Sequence, residues 1–102
     1  MADIEVRMNG QSVIAAPGDR IVVSIPENAT TGYQWAIEDV GAPLEVESNE
    51  LLPAGDARPG SGGMRQVVLR ARESGHARVA LRLQRAWEAE PIEHMEVNVT
   101  VR

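Results

Sequence analysis

Apolar and polar residues alternate with a period of two along most of this chain, and the 3.6-residue rhythm of an amphipathic helix is absent. Ile4, Val6 and Met8 alternate with Glu5 and Arg7, and Asn9-Gly10 follows as a two-residue hairpin turn whose members tolerate positive φ. The return strand is expected through Val13 to Ala15, before a second turn at Pro17-Gly18-Asp19. Ile21, Val23 and Ile25 mark a strand ending at Pro26, and Tyr33, Trp35 and Ile37 mark the next. A short strand is expected from Leu44 to Ser48. Val67, Leu69 and Ala71 form another, closed by a turn at Glu73-Ser74-Gly75. Two more follow, on Val79, Leu81 and Leu83 and on Met95, Val97, Val99 and Val101. Short alternating segments with regular turns predict an all-β, two-sheet sandwich of about seven to eight mostly antiparallel strands. Residues 1–102 are read as a single domain.

Strand parity has a consequence for function. If consecutive strands run antiparallel, alternate connections share one end of the sandwich. Counting from the strand at Arg20, these are Pro26 to Gly32, Pro53 to Gly63 and Arg85 to His94. The second is rich in proline and glycine and is expected to be a long loop. The parity holds only if the Leu44 strand exists.

Composition narrows the function classes. Phe is absent and aromatics reach only 3%, so the core must rest on Val, Leu and Ile. A formal net charge of -5 with no basic run excludes the phosphate-neutralising surface that nucleic-acid binding needs. Without cysteine there is no disulfide, thiolate metal site or thiol nucleophile. No apolar run approaches the ~20 residues of a membrane span. The N-terminus lacks the pattern of a signal peptide, so the chain is expected to be soluble and untargeted as it stands, or a mature form whose leader has been removed. His76, in a turn, and His94, at a loop end, lack metal-ligand spacing, and no cofactor is expected.

Three segments stand out. Asn28-Ala29-Thr30-Thr31-Gly32-Tyr33 sets two β-branched side chains between turn-forming residues, which would present them stiffly; an ordinary polar turn is the plainer reading. Gly60-Ser61-Gly62-Gly63 permits close backbone approach to a partner, and lacks the spacing of a phosphate loop or a hydrolase elbow. Arg85-Ala86-Trp87 puts one of two tryptophans just beyond a strand end, either as a binding anchor or as a cap on the core. Trp35, on the face of Tyr33 and Ile37, is expected in the core. Glu88, Glu90 and Glu93 sit in one loop and cannot face each other across a cleft as glycosidase carboxylates do.

Together the three segments resemble the chagasin-type inhibitors of papain-family cysteine peptidases. That family carries an Asn-Pro-Thr-Thr-Gly-Tyr/Phe loop, a Gly-x-Gly-Gly loop and an Arg-Pro-Trp/Phe loop, in this order and at similar spacing. Alanine replaces the family's proline at Ala29 and at Ala86. Proline restricts the free chain, an effect of ~0.4–1 kcal/mol per site. The resemblance implies an immunoglobulin-like fold and reversible inhibition of a papain-like cysteine peptidase, and a monomer is expected. It further implies that the first loop enters the catalytic cleft with Thr31 near the catalytic cysteine and histidine, while Trp87 packs on one flank and the glycine loop follows the other. The rival expectation is an immunoglobulin-like adhesion or carbohydrate-binding module, for which three aromatics make a poor platform. An enzyme is the third reading, disfavoured because the chain lacks Cys, a convincing Ser-His-acid arrangement and a metal-ligand cluster.

Overall fold

The computed structural model describes residues 2–28, 31–53 and 62–102. Among these residues eight strands form two four-stranded sheets. They are β1 (Asp3–Val6), β2 (Ser12–Ala15), β3 (Arg20–Glu27), β4 (Tyr33–Asp39), β5 (Leu44–Pro53), β6 (Gly63–Ala71), β7 (Gly75–Arg85) and β8 (Glu93–Val101). One sheet has the order β1-β3-β6-β5 and the other β2-β8-β7-β4. Pairing is antiparallel except for β1 on β3 and β2 on β8, which are parallel.

The alternation seen in the sequence becomes the inner face of each sheet. Val6, Ile21, Val23, Ile25, Leu44, Val67, Leu69 and Ala71 meet Val13, Ala15, Trp35, Val79, Leu81, Met95, Val97, Val99 and Val101. Burying each Val, Leu or Ile side chain contributes ~1.5–3 kcal/mol, and small branched residues fill this core without any Phe. Trp35 belongs to it, only 8% exposed.

Three expectations are corrected. Asn9-Gly10 is not a hairpin: β1 and β2 lie in opposite sheets, so the segment crosses between them. It is held there by Gly10 N–H donating to the Glu96 carbonyl and Glu96 N–H donating to Asn9 Oδ1, both at 2.8 Å. The strand before it stops at Val6, leaving Met8 exposed. Second, β3 does not end at Pro26 but continues to Glu27. Pairing with β1 has already ended at Val23, and the Pro26 carbonyl accepts from Trp35 Nε1 at 3.1 Å. The imide nitrogen, on the same side as that carbonyl, therefore faces no strand that needs its N–H. Third, His76 and His94 lie within strands, not in a turn or at a loop end. The Leu44 strand exists and runs on to Pro53, as an edge strand with a register shift between Val46 and Ser48.

Candidate functional site

Strand register brings the three distinctive segments to one end. Glu27 at the end of β3 faces Gly63 at the start of β6, and Pro53 at the end of β5 faces the same residue. Tyr33 at the start of β4 faces Arg85 at the end of β7. The β3–β4, β5–β6 and β7–β8 connections thus leave from one rim. Ala29, Thr30, Gly60 and Ser61 lie outside the described residues.

The first connection is braced from within. Thr31 N–H donates to the Asn28 carbonyl at 3.2 Å, and its hydroxyl donates to the same oxygen at 2.8 Å. That hydroxyl also accepts from Tyr33 N–H at 3.3 Å. Gly32 has φ +81°, in the left-handed region that side chains other than glycine resist. A Cβ there would also fall 2.7 Å from Cη2 of Trp87, so the indole lies directly over this glycine. Conformation requires glycine at this position, and any added Cβ would also displace the exposed indole.

Arg85 joins the first and third segments. Its Nε donates to the Thr31 carbonyl at 3.0 Å and its Nη1 pairs with Glu88 at 3.1 Å. The guanidinium stands 4.2 Å from the centre of the Tyr33 ring and 5.7 Å from that of Trp87, within cation–π range. Trp87 is 72% exposed, which excludes a role in capping the core. Gly62, at φ +76°, sits beside the Glu27 carbonyl and Asn28, and a shallow pocket lined by Pro26, Glu27, Asn28, Gly62 and Gly63 opens between the stems of the first two loops.

Sequence reasoning missed Glu27. Its carboxylate is wholly buried beneath the rim, taking Nη2 and Nε of Arg65 on its two oxygens at 2.7 and 3.1 Å. Its Oε1 also accepts the Trp35 N–H at 2.6 Å. The signal was the alternation itself: Glu27 continues the inward series of Ile21, Val23 and Ile25, and Arg65 begins that of Val67, Leu69 and Ala71.

The model of the chagasin family peptidase inhibitor I42 matches residues 15–101. Chagasin of Trypanosoma cruzi is 27% identical over 84 residues, which span 78% of this chain and 76% of that one. The cysteine protease inhibitor EhICP2 from Entamoeba histolytica superposes with a TM-score of 0.86 at 20% identity, over 99% of this chain and 96% of that one. PbICP-C, solved in complex with falcipain-2, superposes with a TM-score of 0.68 at 14% identity, over 98% and 89%. The structural likenesses establish the sandwich fold, and the family match covers most of the chain. This chain belongs to the chagasin family of peptidase inhibitors, which restrain cysteine peptidases and are not enzymes.

Proposed function

We propose that the rim is the inhibitory surface and that it blocks papain-like cysteine peptidases reversibly by lodging in the active-site cleft. The convergence of the Thr31, Gly62 and Trp87 segments at one end carries this reading. Residues Asn28 to Tyr33 enter the cleft, Gly60 to Gly63 run along one wall, and Ala86 and Trp87 cover the other. Three loops at one end of a sandwich can supply the ~800 Å² per partner of a standard interface.

The geometry around Thr31 supports inhibition without cleavage. The Thr31 carbonyl is already engaged by Arg85, and the Thr31 hydroxyl is satisfied within its own loop. A peptidase that seats Thr31 beside its nucleophile therefore meets a carbonyl held by the inhibitor and not free to turn into an oxyanion hole. The bracing also reduces the ordering cost of binding. Falcipain-2, the partner of the structural neighbour PbICP-C, indicates the kind of target. The whole span 1–102 acts as one inhibitory unit.

Titration of the purified protein against papain tests the reading. A stoichiometric, reversible and competitive loss of activity is expected, with the inhibitor recovered intact. Undiminished papain activity at large molar excess would overturn it.

A further inference from the structure

We infer that the buried Glu27–Arg65 pair is a positioning element for inhibition, setting the first two loops relative to each other; this rests on the reading of the rim above. The pair touches all four strands that feed those loops. Glu27 is on β3 and Arg65 on β6, and Arg65 Nη1 also donates to Asn49 Oδ1 on β5 at 3.2 Å. The Trp35 N–H that Glu27 accepts belongs to β4, in the opposite sheet. Through the β4–β7 register, Trp35 against Leu83 and Tyr33 against Arg85, the joint reaches the stem of the tryptophan loop as well.

Net stability is a weak reason for burying an ion pair. Replacing such a pair with apolar residues of similar volume is often neutral or stabilising, because removing two charges from water costs as much as their attraction returns. An apolar pair, however, fixes no direction. The two-pronged contact between guanidinium and carboxylate is directional, and the Trp35 N–H sets the carboxylate plane relative to the other sheet. Arg65 faces Ile25 in the register, so it reaches Glu27 diagonally across the strand pair. That diagonal ties the exit of β3 to the entry of β6, where Gly62 lies against Glu27 and Asn28. Loosening it lets the two loops drift apart while the core below stays packed.

The test is the double variant Glu27→Leu/Arg65→Met, assayed against papain beside Trp87→Ala. The double variant leaves the buried Trp35 N–H without its acceptor, so it should melt clearly below the parent while still unfolding cooperatively. Its inhibition constant should rise about tenfold or more as pre-ordering is lost. Hydrogen exchange at the Thr31 amide should accelerate while that of β8 amides stays unchanged, which a merely structural role would not produce. A folded double variant that inhibits like the parent, while Trp87→Ala is weakened, overturns this inference and leaves the rim intact. If Trp87→Ala is also indistinguishable from the parent, the rim reading itself fails. Should the double variant not fold, Arg65→Lys keeps the charge and loses the fork. It should weaken inhibition severalfold with an unchanged circular dichroism spectrum, and parent-like inhibition by it overturns the inference equally.

Discussion

The two ends of this sandwich close in different ways. At the end away from the rim, main chain satisfies main chain for the most part, with one carboxylate helping. Gly18 N–H donates to the Ala71 carbonyl, Ala71 N–H to that of Asp19, Arg72 N–H to that of Pro43, and Leu44 N–H to that of Gly41, all between 2.8 and 3.0 Å. Asp19 accepts the Ala16 and Ala2 N–H groups at 2.9 Å each. Gly41 packs so tightly that an added Cβ would lie 2.6 Å from the Ala77 Cβ. At the rim, side chains do the bracing, through Arg85, Thr31 and the Glu27–Arg65 pair, and Trp87 stands out in water. An exposed indole over a glycine gains little until a partner covers it. One pole uses its polar groups to finish the fold; the other holds an unfinished surface in shape.

If the poles differ in this way, substitutions at each should separate binding from stability. Trp87→Ala should cost about 2 kcal/mol or more in binding, roughly thirtyfold in the inhibition constant, with no change in melting temperature. Inhibition titrations paired with thermal melts check both halves. Gly41→Ala is the mirror image. Crowding against Ala77 should destabilise the fold by ~1–3 kcal/mol in urea titrations, while the folded fraction inhibits normally.

Gly32→Val probes the rim's backbone. Forcing a β-branched residue to φ +81° costs about 1–2 kcal/mol, and its Cβ would push Trp87 aside. Weakened inhibition by a protein with normal strand content is expected. Parent-like inhibition would mean that the indole position does not matter.

The smallest effect belongs to Asp19. Hydrogen bonds from the Ala16 and Ala2 amides hold its carboxyl below the ordinary carboxylate range. A depressed folded value means that its stabilising contribution is fully present above the unfolded pKa of about 3.9 and is lost as pH falls through the lower folded value. Asp19→Asn should therefore flatten the acid limb of the stability curve below about pH 4, leaving inhibition at neutral pH unchanged. Melting temperatures across that range decide it.

Much of this was legible in the sequence because period two maps directly onto inner and outer faces. The alternations at Ile21 to Ile25, Val67 to Ala71 and Met95 to Val101 all point inward as read, and parity counted from Arg20 put the three loops on one end. What failed was long-range. Asn9-Gly10 signals a turn, but nothing local says that the next strand joins the other sheet, pairing in parallel with β8. The reach of β3 past Pro26 depends on β1 stopping at Val6, again a tertiary fact. The choice between cap and anchor for Trp87 turned on exposure, which periodicity does not carry beyond a strand end. Glu27 was readable and overlooked: a charge on an inward register is a demand for a buried partner, and Arg65 holds the matching inward place.

Hydrogen exchange on the complex with papain tests the difference between the poles most directly. The account predicts slowed exchange at Asn28, Thr31 to Tyr33, Gly62, Gly63 and Ala86 to Glu88, with Gly18, Asp19 and Gly41 unchanged. Protection centred on the Asp19 pole, or on an outer sheet face, would contradict it.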